Sequence, residues 1–300
     1  MKHTAAWKKT QPVERSSSSP DVWNRMTDEP AMLADRQYRY DRFTTSLLLR
    51  DMRFRKGAAG PGDLVPAFNL VTTDGEELTN QDVLGNRPVL LVFGSITCPM
   101  TASAMPFLTQ LHSEFGDRVG FIMLNVREAH PGEHFRQPRT VAEKLDHARA
   151  LKRLYGISWT VATDNIEGSL HRALDPKPNS AFLINIDGII VFRSLWASDQ
   201  KAVRQALESA VAGRTPDRSQ SQALFIPVAR AMGQVQEVMD RAGPQAVKDL
   251  WRGGLPMALA GRVATIFSPI SRDQRGVAAV LTLVLGTLLV LGLIASWFFG

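Results

Sequence analysis

The stretch VLLVFGSITCPMTASAMPFL, residues 89–108, joins a continuous apolar run to the start of a helix, with a cysteine between them. A short run that is apolar at every position is typical of a strand covered on both faces. After Cys98, the helical spacing of Phe107, Leu108 and Leu111 predicts a helix. The stretch therefore predicts a buried strand that is followed at once by a helix.

The sequence on either side continues this alternation of strands and helices. The following segments predict, in order, a buried strand, an amphipathic helix, a short strand and a hairpin with an Asp-Gly turn: VGFIMLNV (119–126), TVAEKLDHARALKRLYG (140–156), WTVAT (159–163) and SAFLINIDGIIVFRS (180–194). A further helix is expected from Asp199 to about Ala212. Buried strands that alternate with helices predict an α/β sandwich, here with a central mixed sheet and helices on both faces.

Changes in composition divide the chain into four segments: a basic, partly disordered arm (1–56), the α/β domain (57–213), a linker and helical region (214–275) and a transmembrane anchor (276–300). Residues 1–30 contain few aliphatic side chains and are predicted to be disordered. A helix is expected from about Met32 to Arg55. The start has no apolar core of the kind that a secretory signal requires, which argues against one.

The balance of charge and the cysteine count limit the possible functions. The 300 residues carry a formal net charge of +6, and Cys98 is the only cysteine. One cysteine excludes a disulfide scaffold and a cysteine-rich zinc site, and it suits a reducing compartment. The basic arm is either a solvated segment or a surface for anionic lipid or nucleic acid. No groove-reading motif is present, so nucleic-acid binding is not expected.

The last 25 residues predict a membrane anchor. The segment GVAAVLTLVLGTLLVLGLIASWFFG carries no charge, and about 20 such residues are enough to cross the hydrocarbon core as a helix. The alternative is a buried helix of a soluble domain, but the segment is apolar on all sides. Arg272 and Arg275 precede it, so the positive-inside tendency predicts that the α/β domain lies on the cytoplasmic side.

The position of Cys98 predicts a reactive thiol. A cysteine at the first turn of a helix lies in the partial positive field of the helix N-terminus, which favours the nucleophilic thiolate. Thr97 is expected to cap the helix or to donate a hydrogen bond to sulfur, and Pro99 suits the first helical position. The alternative is a cysteine that only packs in the core.

Longer segments carry a family resemblance. The run GDLVPAFNLVTTDGEELTNQDVLGNRPVLLVFGSITCPM (62–100) and the closing FLINIDGIIVF (182–192) resemble the thioredoxin-fold redoxins. Within that group, FGSITCP followed by NVREAHP is similar to the iodothyronine deiodinases and their bacterial deiodinase-like relatives. The resemblance covers about residues 58–212 and implies a thioredoxin-like fold and oxidoreductase chemistry without a bound cofactor or metal.

The resemblance also implies roles for particular residues. Cys98 stands where animal deiodinases have selenocysteine, and Glu128 and His130 match the family's acid and proton-handling histidine. His130 follows the strand that neighbours the Cys98 strand in this fold, so both side chains are expected at one end of the sheet. The alternative for His130 is a loop hydrogen bond. His134 and Arg136 lie near the same edge.

Several expected family residues differ. Pro138 stands in place of a second family histidine, and KPNSAFLI replaces a Glu-Arg pair. A thioredoxin has a second cysteine where this chain has Thr101, so an external thiol reductant is required. Pro178 is one position early for the fold's cis-proline, and we predict a cis Lys177–Pro178 bond. Positions that hold a peroxiredoxin's proline, threonine and arginine are occupied here by Leu91, Ser95 and Asn179.

These features lead to three functional hypotheses. The first is a membrane-anchored, deiodinase-like thiol oxidoreductase in which Cys98 attacks an electrophilic atom of a small-molecule, thiol or peroxide substrate. Thr97, Glu128 and His130 would support this attack, and an external thiol would regenerate Cys98. The second is a one-cysteine thiol peroxidase. The third is a catalytically inactive redoxin-fold interaction module tethered at the membrane.

Overall fold

The structure, a computed structural model, describes residues 38–299. The predicted disorder of residues 1–30 lies outside this range. The predicted helix from Met32 to Arg55 is wrong over most of its described part, because residues 39–44 and 52–55 are not helical. The helix Thr45–Asp51 is capped by Thr44. Two aromatic rings before this helix reach separate partners. The Tyr38 hydroxyl shares a hydrogen bond of 2.9 Å with His171 Nδ1, and Phe43 packs on the ring of His130.

An eight-stranded mixed sheet forms the centre of the described residues. Its strands are β1 (Asn69–Thr72), β2 (Glu77–Thr79), β3 (Val89–Gly94), β4 (Gly120–Asn125), β5 (Thr160–Thr163), β6 (Ala181–Ile184), β7 (Ile190–Ser194) and β8 (Gln220–Ser221). The spatial order is β2-β1-β5-β4-β3-β6-β7-β8. The central strand β3 pairs parallel with β4 and antiparallel with β6. The predicted mixed sheet and closing hairpin are confirmed.

Eleven α-helices accompany the sheet in residues 39–299. They are α1 (Thr45–Asp51), α2 (Asn80–Val83), α3 (Pro99–Phe115), α4 (Val141–Tyr155), α5 (Ser169–Ala173), α6 (Gln200–Val211), α7 (Phe225–Ala231), α8 (Val235–Ala242), α9 (Pro244–Gly253), α10 (Leu255–Ala264) and α11 (Arg272–Phe299). Short 3₁₀ turns follow α7 and α10. Helices cover both faces of the sheet, as expected for the thioredoxin-like fold.

The sequence explains why the central elements form where they do. All six residues of β3 are buried, because apolar clusters pack against both faces of the sheet. α4 begins with a capping box between Thr140 and Glu143. It ends at Gly156, whose φ of 60° is a left-handed conformation that glycine adopts without strain. These signals place both ends of α4 correctly in the sequence prediction.

The region after residue 213 contributes to the same apolar core as the α/β domain. Residues 214–222 were predicted to be a linker, yet Gln220 and Ser221 form β8 and extend the sheet beside β7. Helices α7 to α10 pack their buried faces on the cluster that also contains Cys98 and β3. The helical region is therefore part of the core and not a separate appendage.

The last helix, α11, is the one helix in residues 38–299 that is long and apolar enough to cross a bilayer, with a mean hydropathy of 2.7 over its most apolar window. Its first turns pack on the preceding helices. Gly276 lies against the carbonyl groups of Ala229 and Arg230, and Gly233 lies against that of Arg272, with no room for a Cβ at either glycine. From Leu281 onward its large apolar side chains are exposed, except that of Leu283, which packs against the core.

Candidate functional site

Cys98 lies between the end of β3 and the first turn of α3, as predicted. It is itself the N-cap residue of α3, with Pro99 at the first helical position. The backbone N–H of Ala102 donates to the Cys98 carbonyl at 3.1 Å. The prediction that Thr97 caps this helix or donates to sulfur is wrong, because the Thr97 hydroxyl has another acceptor.

That acceptor is the buried carboxylate of Glu128. The Thr97 Oγ1 donates to Glu128 Oε2 at 2.5 Å, and the Thr97 backbone N–H donates to the same oxygen at 3.2 Å. In turn, the His130 backbone N–H donates to Thr97 Oγ1 at 3.2 Å. Thr97 and Glu128 thus hold the loop after β3 against the loop after β4, and this contact positions Cys98 relative to His130.

His147, a residue that sequence reasoning missed, completes this arrangement from α4. Its Nδ1 lies 2.8 Å from Glu128 Oε1. Burial lowers the pKa of His147, but the hydrogen bond and charge of Glu128 outweigh this effect and leave the pKa above its ordinary value. The only sequence signal was a histidine on an amphipathic helix, and such a histidine does not reveal its partner.

Cys98 and His130 do meet, as the order of strands predicted. Both line one small apolar cavity of about 40 Å³, which we call the Cys98 cavity. Such a volume holds a few water molecules at most. The other lining residues are Phe43, Leu48, Asp51, Met52, Pro99, Met100, Ala129, Pro178, Trp196, Val228 and Met257. Thr97 and Glu128 are not among them, so they act on the cavity only through the loops that they hold.

Half of the residues that line the cavity with Cys98 come from outside the α/β domain. Phe43 and α1 close one side, and Val228 of α7 and Met257 of α10 close another. The ring centroids of Phe43 and His130 are 4.2 Å apart. Because of this cover, Cys98 is only 2% exposed.

Burial dominates the electrostatics of the cavity. The pKa of the Cys98 thiol is raised to about 11 by burial, although hydrogen bonds from the first turn of α3 favour the thiolate. The predicted low thiol pKa is therefore not found in this closed arrangement. Burial also lowers the pKa of His130 to about 4 and raises that of Asp51 to about 6. His130 is therefore neutral at pH 7, and Asp51 changes its protonation close to pH 7.

Three side chains that line the cavity leave a buried polar atom without a partner in the protein. These atoms are Asp51 Oδ1, His130 Nδ1 and Trp196 Nε1. Buried polar groups are usually hydrogen-bonded, so unpaired ones call for an explanation. Asp51 and Trp196 were not predicted as site residues, since neither lies in a motif.

The remaining predicted residues have structural positions. Peptide bonds throughout residues 38–299 are trans, so the predicted cis bond before Pro178 is wrong, although Pro178 does line the Cys98 cavity. Asn179 donates to the carbonyl of Phe93 at 2.9 Å. His134 contacts the carbonyl of Arg241 and lies, like Arg136, outside the lining of the cavity.

The family follows from a comparison with known sequence families. The redoxin family profile matches residues 60–210, about half of the chain. The chain belongs to the redoxin family. This match covers the Cys98 strand, the His130 loop and the closing hairpin, but neither α1 nor the helices from α7 onward. The cavity of this redoxin is therefore covered by segments outside the family region.

Curated relatives of this redoxin include deiodinases. A type II iodothyronine deiodinase of Fundulus heteroclitus is 29% identical over 100 residues, which is 29% of this chain and 38% of that protein. A thyroxine 5-deiodinase of Ovis aries is 30% identical over 108 residues, 32% of this chain and 36% of that protein. The thioredoxin-like protein YneN of Bacillus subtilis is 32% identical over 85 residues, 28% and 48% of the two chains. The matched part of this redoxin spans between about a third and a half of the length of these relatives.

Solved structures similar to this redoxin include an uncharacterized conserved protein from Geobacillus kaustophilus, with 17% identity and a TM-score of 0.46 over 55% of this chain and 89% of that one. The thioredoxin domain of a thiol-disulfide oxidoreductase from Bacteroides vulgatus has 14% identity and a TM-score of 0.40, over 50% and 99% of the two chains.

Proposed function

We propose that this redoxin is a single-cysteine thiol oxidoreductase in which Cys98 attacks an electrophilic atom and an external thiol regenerates it. The observation that carries the proposal is the shared cavity of Cys98 and His130 at the junction of β3 and α3. The relatives named as deiodinases and as a thioredoxin-like protein support the same class of chemistry. No metal or bound cofactor is part of the proposal.

The cavity supplies groups that can move the thiol proton. Neutral His130 can accept it at a ring nitrogen, and Asp51 titrates near neutral pH. The Cys98 sulfur then bonds to the electrophilic atom, and the leaving group departs with the bonding electron pair and takes the proton. Two external thiol molecules return Cys98 to the thiol and leave as a disulfide, which accounts for both electrons.

The size of the cavity favours a small reacting head over an aryl iodide. About 40 Å³ accommodates a peroxide group but not two aromatic rings, whereas ligand pockets for molecules of that size are roughly 300 Å³ or larger. Deiodination would therefore require α1 to move away from Cys98. The one-cysteine thiol peroxidase is the form of the proposal that needs the least rearrangement.

Anchoring at a membrane through α11 is part of the proposal. The apolar, exposed stretch from Leu281 to Phe298 spans about 27 Å at 1.5 Å per residue, close to the ~30 Å of a hydrocarbon core. Arg272 and Arg275 at the start of α11 favour a cytoplasmic position for the rest of the protein.

A catalytically inactive interaction module is the competing function, and one observation favours it. The Cys98 thiol is 2% exposed and its pKa is about 11, so very little thiolate is present at neutral pH in the closed arrangement. In this alternative the thiol only packs, and the redoxin domain presents a surface to a partner at the membrane.

One experiment separates the two functions. The full chain in detergent is given dithiothreitol with either hydrogen peroxide or an aryl iodide, and consumption of each is followed beside a Cys98→Ser variant. We expect peroxide to be consumed and dimedone to label Cys98, with a rate loss of roughly 1,000-fold or more in Cys98→Ser. Equal rates for the two proteins, together with no labelling, would select the inactive module.

A further inference from the structure

The Cys98 cavity combines an apolar lining with polar atoms that lack partners. Six buried polar side-chain atoms are unpaired among the described residues, and three of them, on Asp51, His130 and Trp196, belong to residues of this lining. Trp196 Nε1 is a donor, Asp51 Oδ1 accepts or donates according to its protonation, and His130 Nδ1 does so according to its tautomer. A small polar head that enters the cavity would meet these three residues.

The accessible rim of the cavity is apolar. The lining residues that are half-buried, and so reach the surface, are Leu48, Met52, Pro178, Val228 and Met257. None of them can hydrogen-bond through its side chain except weakly through the methionine sulfurs. A polar head that reaches Cys98 must therefore pass an apolar mouth, which suits a ligand with an apolar body behind that head.

The packing of α11 places this mouth close to the point where α11 leaves the domain. Arg272 faces Gly233 and Gly276 faces Ala229, so α11 runs antiparallel to α7. One turn further, Val280 comes level with Phe225, and Leu283 is the last side chain of α11 that packs on the domain. Val228, at the mouth, is one turn of α7 from Phe225, so it lies about 5 Å from the level of Phe225 and Val280.

A single apolar cluster connects the cavity to the exit of α11. Cys98 belongs to it, and Val228, Met257, Val280 and Leu283 pack against it. Large apolar side chains are also exposed on or next to the helices that carry the mouth residues: Leu224 (41%), Phe225 (61%), Ile226 (48%), Leu255 (49%) and Leu49 (66%). An apolar surface that continues a candidate membrane span is the surface that a bilayer would cover.

We infer that the Cys98 cavity opens toward the lipid bilayer and takes the hydroperoxide group of a membrane lipid, whose acyl chain lies across the apolar rim. This inference rests on the proposed thiol chemistry and names its substrate class. The exposed Arg50 and Arg53, on either side of Met52, would lie at the level of the phosphate groups.

The reaction on such a lipid is balanced without a metal. The Cys98 sulfur attacks the terminal oxygen of the hydroperoxide, an S–O bond forms and the O–O bond breaks. The lipid alkoxide takes the thiol proton and becomes a lipid alcohol, so Cys98 is oxidised to sulfenic acid as the peroxide is reduced. Two molecules of an external thiol then restore Cys98 and leave as a disulfide and water.

The first test measures access to Cys98 and does not depend on turnover. The full chain is reconstituted in phosphatidylcholine vesicles and treated with N-dodecylmaleimide or with a charged, membrane-impermeant maleimide. Because Cys98 is the only cysteine, intact mass reports its labelling without ambiguity. We expect the lipid-soluble reagent to label Cys98 at least tenfold faster. Equal rates, or faster labelling by the charged reagent, would overturn the inference.

The second test compares substrates in the same vesicles. With dithiothreitol as reductant, we expect phosphatidylcholine hydroperoxide to be consumed at least tenfold faster than hydrogen peroxide at equal concentration. A Phe225→Ser change should reduce that preference at least threefold. The matched control is Ile266→Ser, since Ile266 is 75% exposed at the turn between α10 and α11, far from the exit of α11, and it should leave the preference unchanged.

The outcomes separate this inference from the proposed function. Consumption of hydrogen peroxide without preference for the lipid hydroperoxide would overturn the lipid substrate and leave the thiol peroxidase in place. Consumption of neither peroxide, with rapid labelling by the lipid-soluble maleimide, would overturn the proposed catalysis and the lipid substrate, while the orientation of the cavity would stand.

Discussion

Two buried polar regions of this redoxin differ in how completely their groups are paired. Tyr38, Lys144, Asp164 and His171 form what we call the paired cluster. In it, Lys144 and Asp164 form an ion pair, Lys144 also donates to the Asn165 carbonyl, and His171 contacts Tyr38 at 2.9 Å and the Lys177 carbonyl at 2.7 Å. The Cys98 cavity instead leaves three polar atoms unpaired. Complete pairing fixes a structure, whereas unpaired groups beside a thiol leave room for a substrate.

The largest effect is expected when the paired cluster is broken. Lys144 is 1% exposed and its partner Asp164 is 4% exposed, so a Lys144→Met change leaves an uncompensated carboxylate in the core. Removal of one partner of a buried pair costs roughly 3–5 kcal/mol. Urea unfolding of Lys144→Met should show a loss of that size. The control is Arg149→Met, which breaks the surface pair of Arg149 and Asp146 and should change the free energy of unfolding by less than about 1 kcal/mol. Equal losses for Lys144→Met and Arg149→Met would contradict the view that complete pairing in the buried cluster fixes the structure.

A substitution of Asp51, in the Cys98 cavity, should have the opposite effect and raise the free energy of unfolding at neutral pH. Burial raises its folded-state pKa to about 6, so its contribution to stability is fully present below pH 3.8 and is lost as the pH rises through 6. A shift of about two units corresponds to about 3 kcal/mol at most. Asp51→Asn should therefore be more stable than the wild type at pH 7, by about 2 kcal/mol, and equally stable near pH 4.

The check is urea unfolding from pH 4 to 8 for both proteins. If the wild type were as stable as Asp51→Asn at pH 7, burial of the ionised Asp51 carboxylate would not destabilise the folded protein. Asp63, which receives a hydrogen bond from the Gly60 N–H at 2.8 Å in an exposed loop, provides the control. Its change to Asn should alter the free energy of unfolding at pH 7 by less than about 1 kcal/mol.

The contrast also explains what the sequence could predict. Cys98 and His130 follow adjacent parallel strands, β3 and β4, and strand order alone brings the ends of such strands together. The helix limits at Pro99 and Gly156 follow from local capping rules. These features depend on neighbouring residues or on sheet topology, and they were predicted correctly.

The cover of the cavity depends on contacts between distant parts of the chain. Phe43, Asp51 and Met257 reach Cys98 from segments that show only ordinary helical or mixed composition. The thiol pKa follows from this cover, because the same helix N-terminus gives a low pKa in water and a high one when buried. A local pattern indicated the nucleophile but could not indicate its desolvation.

Opening the rim of the cavity should have a smaller effect, on reactivity. Leu48 is half-buried on the lining, so Leu48→Ala admits water to Cys98 and lowers the pKa of its thiol. We expect iodoacetamide to alkylate Cys98 about tenfold faster at pH 8 in detergent, which corresponds to about 1.4 kcal/mol. Leu49 is the neighbouring control, because it is exposed and does not line the cavity. An unchanged rate in Leu48→Ala would mean that α1 does not limit access.

The smallest effect is expected where Glu128 meets His147, since this pair lies between the two extremes. Both carboxylate oxygens of Glu128 are hydrogen-bonded, yet the His147 side chain is 17% exposed. Burial lowers the pKa of His147, and Glu128 raises it by more, so the folded-state pKa lies above the unfolded value of 6.5. The resulting stability is present below pH 6.5 and is lost as the pH rises through the folded-state pKa. His147→Gln should reduce the free energy of unfolding at pH 6 by about 1 kcal/mol and less at pH 9. If the loss were the same at both pH values, Glu128 would hold His147 through a neutral hydrogen bond only, and the charge on His147 would have no part in positioning Thr97 and the Cys98 loop.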